Sequence, residues 1–497
     1  MHLSALDFAV VVGYIILVFG IAINANIDMR RHFALYKNYG LRPIENHYLA
    51  GGSITFWEAV MSIIATEFSA IAFLTIPTYA YFDNFNYIRF VIGACISRAL
   101  ISRYFLDSIY GKGLTIFEIL ARGIHSYKRL TPEGIRGKRT FAFFYLITKT
   151  VGVSIKLLGG AMLIAEFFDI PLFSSIVMIS LITYLYIMIG GLKAVVRTDM
   201  IQAAIFIFGG VMAHYVVSKV SPLSWGELFS LGLSNGKFSF FSEGGGAAFV
   251  YGIIAGIAYD AATHGVDQDL VQKLIGSKDI QTAKKALAWS AMGSIIVNTI
   301  FLSLGVILWS YYHNLGQSIP SATKLFSSLI EEHFPSPVKG LMVASILAAC
   351  MSTLDSSINA LSACFWNDFM GSTKSKLFSI YISMDNFIIT ISIIIVSFTF
   401  SALPGFVKYG TYFAYLSMSP LLSFFISRLL LSRFIKIDFS PSLIVLSICT
   451  SFLGMGLNHF RFGFNPQLTI LWGIVTAIIF MWMYSLVNNL FKTSKEK

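Results

Sequence analysis

The chain has 497 residues, of which 56% are hydrophobic and only 12% are charged, and its formal net charge is +11. Soluble domains carry about 25% charged residues, so this composition excludes a soluble protein and indicates a polytopic membrane protein. The basic residues are spread over short loops, which favours a positive-inside topology over nucleic-acid binding.

The first apolar run extends from Leu6 to about Ile27 and is followed by Arg30 and Arg31. No basic segment precedes it, as one would in a cleaved signal peptide. We therefore expect a first membrane span whose N-terminus lies outside. The four cysteines also lie in apolar runs, which favours small buried hydrophobic residues over disulfides or metal ligands.

A membrane span needs about 20 apolar residues. The sequence contains such runs near 6–28, 53–82, 86–110, 140–168, 171–190, 194–218, 246–274, 282–313, 338–368, 379–401, 405–430, 442–458 and 466–490. The expected fold is therefore an all-α polytopic membrane protein of about 13 transmembrane helices, forming one transporter domain over 1–497.

An odd number of spans places the two chain ends on opposite sides of the membrane. With the N-terminus outside, about 25 Lys and Arg residues fall in cytoplasmic segments and about 6 in external loops. The loop near 110–139 is the most basic. We expect a cell-membrane protein with a cytoplasmic C-terminus, a cytoplasmic 110–139 loop and an external 219–245 loop.

Two spans are interrupted by polar residues, glycine or proline. The second contains Thr66, Glu67, Ser69 and Pro77, and the seventh contains Gly252, Gly256, Asp260, Thr263, His264, Gly265, Asp267 and Asp269. Spans of this kind are candidates for broken helices whose free carbonyls bind ions. Their separation by five spans is compatible with inverted repeats near 53–218 and 246–430, leaving accessory helices 6–28, 442–458 and 466–490.

The ninth span carries a polar face. Ala349, Ser352, Thr353 and Ser356 have the spacing of one helix face, and Asp355 borders it. Hydroxyls and a carboxylate are hard oxygen ligands that suit a small cation. The alternative for the small residues is close helix packing, which the buried Asp355 disfavours.

Other ionisable groups also lie inside apolar runs. Asp199 follows Gly190-Gly191 in the sixth span, and a salt bridge with Arg197 or a helix cap is its alternative role. Further intramembrane groups are Glu67, Arg98, Lys149, Lys156, Asp260 and His264. Some must pair with one another, because unpaired charges in a membrane are costly, but the sequence does not say which.

Enzyme motifs are absent from the sequence. It contains no G-x-S-x-G, H-E-x-x-H or Walker A string. We therefore expect a protein that is not an enzyme.

Several strings carry a resemblance to a known family. They are Tyr48-Leu-Ala-Gly-Gly-Ser with Ile64-Ala-Thr-Glu-Phe-Ser69, the Gly190-Gly191 to Gln202 string, Leu114-Thr-Ile-Phe-Glu-Ile-Leu120, Asp267-Gln-Asp-Leu-Val-Gln-Lys273 and the Ser352 to Asn359 string. Over roughly 48–370, the chain resembles the sodium/solute symporters, which include sodium/sugar, sodium/iodide and sodium/sialic acid transporters. The resemblance implies a LeuT-type fold with a five-helix inverted repeat and Na+ as the coupling ion.

The resemblance also implies a sodium site. Its ligands would be the carbonyls of Ala65, Phe68 and Ala349 and the hydroxyls of Ser352 and Thr353, with Asp199 in support. A second sodium, as in the sialic acid branch, would lie beside Asp199, Ser352, Asp355 and Ser356. Asp355 replaces the usual hydroxyl residue there, so it is expected to bind a second cation, carry a proton or pair with Lys149 or Lys156.

Solute contacts implied by the resemblance lie on the broken spans. They are Ser69, Ala72, Asp260, Thr263, His264, Tyr412 and Lys156. In the sialic acid branch an Arg on the fourth span holds the carboxylate of the solute. Val151 stands near that position here, with Lys149 and Lys156 close in sequence.

The sequence is thus interpreted as a sodium-coupled symporter that imports a small polar organic solute, such as a sugar or sugar acid, by alternating access. Its expected partners are the solute, sodium ions and the lipid bilayer, with no nucleic acid, and we expect a monomer. The alternatives are a proton-coupled carrier of the same fold, since Asp355, Glu67 and Asp260 could titrate, and a transporter-like sensor or receptor. No signalling domain follows Lys497, which disfavours the sensor.

Overall fold

A computed structural model describes residues 3–36, 43–123, 130–241, 245–317, 325, 329–331, 333–370, 378–403, 406–431, 437–462 and 466–495. Tyr412 belongs to a helix in this set, but its side chain lies outside the described residues. The described chain is helical apart from its connections and one isolated β-bridge between Ile54 and Ser277.

The first half of the chain forms α1 (Ala5–Tyr36), α2 (Pro43–Tyr48), α3 (Phe56–Glu67), α4 (Ala70–Phe82), α5 (Ile88–Leu100), α6 (Leu106–Ile109), α7 (Ile116–Arg122), α8 (Pro132–Phe168), α9 (Leu172–Val220) and α10 (Trp225–Ser234). The second half forms α11 (Gly245–Gly265), α12 (Gln268–Ile275), α13 (Ile280–Asn314), α14 (Val338–Cys364), α15 (Phe378–Ser401), α16 (Phe406–Leu431), α17 (Pro441–Phe462) and α18 (Pro466–Lys495).

The predicted membrane spans are confirmed as helices. Within the described residues, 10 helices and one bent pair are long and apolar enough to cross a membrane. α9 has 49 residues, which at 1.5 Å each is about 74 Å, more than twice the thickness of a bilayer core. It therefore supplies two spans, as the separate runs 171–190 and 194–218 predict. α16 matches the predicted run 405–430, with a shorter apolar segment, Met418–Leu429, among its described residues.

Gly191 marks the break within α9. Its φ of 55° and ψ of −148° are not helical, and a Cβ atom there would lie 2.7 Å from the ring of His47. Only glycine satisfies both the left-handed φ and the close approach of α2. This explains the double glycine that separates the fifth and sixth spans.

Both predicted interruptions of spans are also confirmed. α3 and α4 meet at an angle of 66°, because Phe68 (φ −97°, ψ 95°) and Ser69 (φ −83°, ψ 169°) are extended. α11 and α12 are separated by Val266 and Asp267, and Asp267 is extended as well (φ −70°, ψ 126°). Each break frees carbonyl and amide groups inside the bundle.

α14 forms the centre of the molecule. It packs against α1, α8 and α9, and every residue from Met342 to Cys364 is buried. Its hydroxyl and carboxyl groups therefore face neighbouring helices or cavities, and must find their partners there.

The four cysteines are free, as expected. Cys350 and Cys364 are buried, which confirms the prediction for them. Cys95 is partly exposed, and Cys449 is exposed on α17, so the prediction of burial is wrong at these two positions. Both lie on helices of the membrane-spanning set, whose outer faces are apolar.

Candidate ion and solute sites

The break between α3 and α4 meets the polar face of α14. In a continuous helix the amide of residue 69 would bond the Ala65 carbonyl, but Ser69 begins a new helix instead. The Ser352 hydroxyl donates to the Ala65 carbonyl at 3.1 Å and to the Ala349 carbonyl at 3.3 Å. The Thr353 hydroxyl donates to the Ala349 carbonyl at 3.1 Å.

Four of the five expected sodium ligands are thus joined by hydrogen bonds, and the fifth, Phe68, lies at the break itself. Phe68 and Thr353 line the same cavity. The oxygens brought together are carbonyls and hydroxyls, which carry no formal charge. Such a set suits a hard monovalent cation and gives it no counter-charge.

Asp199 pairs with a lysine that the sequence did not single out as its partner. Its Oδ2 accepts from the Ser62 hydroxyl at 2.5 Å and from Lys273 Nζ at 2.8 Å. Lys273, on α12, also donates to the Ser62 carbonyl at 3.1 Å and to the Thr66 hydroxyl. Asp199 and Lys273 are both fully buried, so each neutralises the charge of the other at a place that water does not reach.

The alternative roles considered for Asp199 are wrong. Arg197 pairs with Asp28 at 2.7 Å and with Glu58 at 3.0 Å. Asp199 itself lies within α9 rather than at a helix start. Its second oxygen, Oδ1, is buried and has no hydrogen-bond partner among the described residues.

Asp355 is held by hydroxyl groups. Its Oδ2 accepts from the Tyr186 hydroxyl at 2.5 Å and its Oδ1 from the Ser356 hydroxyl at 3.1 Å. The hydroxyls of Ser356 and Thr66 are hydrogen-bonded at 3.1 Å, and Thr66 accepts from Lys273. A continuous chain of hydrogen bonds therefore connects the carboxylates of Asp355 and Asp199.

The expectation that Lys149 or Lys156 neutralises Asp355 is wrong. Lys149 pairs with Asp267 at 2.6 Å and with Asp269 at 2.8 Å. Lys156 makes no ion pair within the described part of the chain. The lysine that interacts electrostatically with Asp355 is Lys273.

A cavity of about 240 Å³ opens beside the helix break. Pockets for drug-sized ligands span about 300–1,000 Å³, so this cavity suits a smaller solute. Six of the residues expected to contact solute line it, namely Ser69, Ala72, Lys156, Asp260, Thr263 and His264. For Tyr412, the seventh, the side chain lies outside the described residues.

Asp260 is tied to a buried arginine. Its Oδ1 accepts from Arg98 Nε at 3.2 Å and from His264 Nδ1 at 2.8 Å. Arg98 also pairs with Glu67 at 2.7 Å. Asp260 Oδ2 has no partner among the described residues, so one acceptor of this network remains for a ligand.

A second network lies across the same cavity. In addition to its pairing with Lys149, Asp267 accepts a hydrogen bond from the Tyr145 hydroxyl at 2.6 Å. Asp269, which also pairs with Lys149, accepts one from the Ser357 hydroxyl at 2.7 Å. The two networks show which intramembrane charges pair, a question the sequence left open. Both bring residues of the broken seventh span against helices that are distant in sequence.

Comparison with known proteins supports this description. A family model described as the sodium:solute symporter family matches residues 47–436. The chain is 27% identical over 338 residues to the sodium/sialic acid symporter NanT of Aliivibrio fischeri, covering 66% of this chain and 65% of that protein. It is 25% identical over 395 residues to the sodium/glucose cotransporter of Vibrio parahaemolyticus, covering 74% and 69%. The chain thus matches about two thirds of the length of these relatives.

Solved structures share the fold. A Na+-coupled sialic acid symporter in a substrate-bound, outward-open state superposes with a TM-score of 0.81 over 97% of this chain and 98% of that chain, at 20% identity. Mhp1, a nucleobase-cation-symport-1 family transporter, superposes with a TM-score of 0.57 at 13% identity, over 89% and 94%. The fold is therefore of the LeuT type, as expected, and because the family model covers most of its length, the chain belongs to the sodium:solute symporter family.

Proposed function

We propose that this protein is a sodium-coupled symporter that imports a small polar organic solute by alternating access. The observation that carries the proposal is the meeting of the α3–α4 break with Ser352 and Thr353, beside a cavity that the same break lines. The matched relatives are named as sodium symporters of sialic acid and glucose, which supports sodium as the coupling ion.

The proposed sodium ligands are the carbonyls of Ala65, Phe68 and Ala349 and the hydroxyls of Ser352 and Thr353. In the structure the hydroxyls donate to two of these carbonyls. A sodium ion would instead accept electron density from all five oxygens. Because Phe68 and Thr353 also line the cavity, ion binding would order one wall of the solute site, which couples the two events.

A second cation is proposed beside Asp199, Asp355 and Ser356. Two carboxylates and the single ammonium of Lys273 leave one negative charge in this buried network. One further cation would neutralise it. A sodium ion is the first candidate. The alternative is a proton on Asp355, as in a proton-coupled carrier, and it would have to displace or reverse one of the hydrogen bonds that Tyr186 and Ser356 donate to the carboxylate.

The proposed solute contacts are Ser69, Ala72, Lys156, Asp260, Thr263 and His264, which line the cavity, with Tyr412 added on the family resemblance alone. The unpartnered Asp260 Oδ2 would accept from a hydroxyl or amine of the solute. Arg98 holds the other oxygen and so fixes the direction of this acceptor.

The wider assignments are proposals as well. The chain would lie in a cell membrane as a monomer, with an external N-terminus and a cytoplasmic C-terminus, and would be a transporter without enzyme activity or a nucleic-acid partner. Its inverted repeats would be 53–218 and 246–430, with 6–28, 442–458 and 466–490 as accessory helices.

Uptake into proteoliposomes tests the function. Labelled sugars, sugar acids, amino acids and monocarboxylates would be offered under an inward sodium gradient, an inward potassium gradient or a pH gradient. We expect at least one solute to accumulate only with the sodium gradient. Accumulation driven equally by the pH gradient without sodium would support the proton-coupled carrier instead, and transport indifferent to both gradients would refute ion coupling.

A further inference from the structure

Five basic residues buried among the spans pair with acidic partners and Arg428 bonds backbone carbonyls, whereas Lys156 does neither in the described part of the chain. Arg98, Lys138, Lys149, Lys193 and Lys273 each lie within 3.4 Å of a carboxylate oxygen. Lys156 makes no hydrogen bond and no ion pair with any described residue. The ammonium group of Lys156 has three hydrogen-bond donors and cannot accept. No described residue offers it an acceptor.

We propose that the solute is a small organic anion that also carries hydroxyl or amino donors, and that Lys156 binds its carboxylate. This inference rests on the proposed function and names the class of solute. Lys156 lines the cavity of about 240 Å³ and also a narrow cleft that it shares with Ser69, Ala349 and Thr353. It therefore lies between the solute cavity and the proposed sodium ligands.

The neighbouring carboxylates do not accept a hydrogen bond from the Lys156 ammonium. The oxygens of Asp267 accept from Tyr145 and Lys149. Those of Asp269 face Lys149, Tyr145 and Ser357. Both aspartates act on Lys156 electrostatically, but neither contacts its ammonium. Its three donors are thus available to a ligand that enters the cavity.

The charge of the proposed sodium ion also favours an anionic solute. All five proposed sodium ligands are uncharged, so the bound ion keeps its full positive charge beside the cleft of Lys156. Asp267 and Asp269 share the single ammonium of Lys149 and so balance the charge of Lys156 from a distance, but they give its ammonium no direct acceptor. A carboxylate between Lys156 and the sodium ion would supply that acceptor and attract the ion, so each ligand would strengthen binding of the other.

The start of α4 provides further donors. Ser69 is the N-cap residue, its side chain makes no capping hydrogen bond, and Ser69, Ile71 and Ala72 line the cavity. The first amides of a helix are unsatisfied within the helix and attract anions. Lys156 and this helix start would therefore bind the same carboxylate.

Two other buried groups indicate the chemistry of the rest of the solute. Asp260 Oδ2 and His264 Nε2 have no partner among the described residues, and both residues line the cavity. Asp260 is 2% and His264 3% exposed. Carboxylate oxygens accept hydrogen bonds, so the far part of the solute must carry donors, as hydroxy acids and sugar acids do.

Thermal unfolding of the purified full chain tests the proposal. The probes are lactate, glycerate, gluconate and N-acetylneuraminate, each compared with its uncharged amide, in sodium chloride and in potassium chloride. We expect at least one carboxylate to raise the unfolding temperature in sodium while its amide does not. Lys156→Gln should raise the carboxylate concentration needed for half the effect by about 10- to 100-fold, the range for a lost hydrogen bond to a charged group, and Lys156→Arg should restore most of it.

Three outcomes would overturn the proposal: amides that stabilise as well as carboxylates, no response to any carboxylate, or an unchanged carboxylate response in Lys156→Gln. If that variant does not fold, the comparison of carboxylate with amide in the native chain still decides. Stabilisation by sodium alone reports the sodium site separately. A carboxylate response without any sodium effect would therefore contradict the proposed function and leave this inference standing.

Discussion

Removing one hydroxyl from the proposed sodium site should weaken sodium binding in a measurable way. Ser352→Ala and Thr353→Ala each delete one of five proposed oxygen ligands and leave the helix otherwise intact. Alanine is the best helix former, so the backbone of α14 should not change. We expect both variants to need more sodium for half-maximal uptake.

The structure sets the expected size of the effect. A lost polar partner in a buried site costs about 1–3 kcal/mol, which corresponds to about a 5- to 150-fold rise in the half-saturating sodium concentration. The Ser352 hydroxyl shares its single proton between two carbonyls, whereas that of Thr353 donates to one. Thr353→Ala also deletes a buried methyl group, so both variants should lower the unfolding temperature of the sodium-free protein.

The assay is initial uptake of an accepted solute into proteoliposomes as a function of external sodium. Ser345→Ala is the matched control, because Ser345 lies on the same helix but bonds the carbonyls of Ile205 at 3.0 Å and Leu341 at 2.9 Å. It should keep the native sodium response. A native response in both Ser352→Ala and Thr353→Ala would refute the site, and an equal shift in Ser345→Ala would show a general effect on α14.

Three further predictions follow from the charges and the topology. Asp355→Ala should reduce a sodium Hill coefficient above one to about one, and a native coefficient of one with one sodium moved per solute would argue against a second sodium. Asp260→Asn removes a charge from the cavity and should change which solutes are accepted more than it changes the sodium response; an identical solute profile would exclude Asp260 from the site. In a chain without native cysteines, Leu130→Cys should resist an impermeant thiol reagent added to intact cells while Asn235→Cys reacts, and the reverse pattern would invert the topology.

The membrane spans and their two interruptions could be predicted from the sequence because both are local patterns. A span is a run of apolar residues of fixed length, and polar residues inside such a run mark a break. The polar face of α14 was predictable for the same reason, since Ser352, Thr353 and Ser356 follow the helical period.

The ion pairs could not be predicted, because they depend on helix packing. Lys273 and Asp199 are 74 positions apart, and Lys149 and Asp267 are 118 apart. The sequence shows that buried charges must pair but not in which combination. It therefore offered the wrong lysines for Asp355 and the wrong partner, Arg197, for Asp199.

The buried Lys273 ammonium bears on how much sodium leaks through the carrier without solute. It joins α12 to α3 and α9, next to backbone bonds of 3.1 and 3.0 Å from Ile54 to Gly276 and Lys278. A conformational change that draws α12 away from α3 would separate these charges, which costs about 3–5 kcal/mol when a buried charge loses its partner. Such a barrier slows the change by roughly 100- to 5,000-fold. Where bound solute offsets this cost, a carrier that holds sodium alone would reorient rarely, and sodium would seldom cross without solute. Lys273→Met should then show a larger sodium leak in solute-free proteoliposomes.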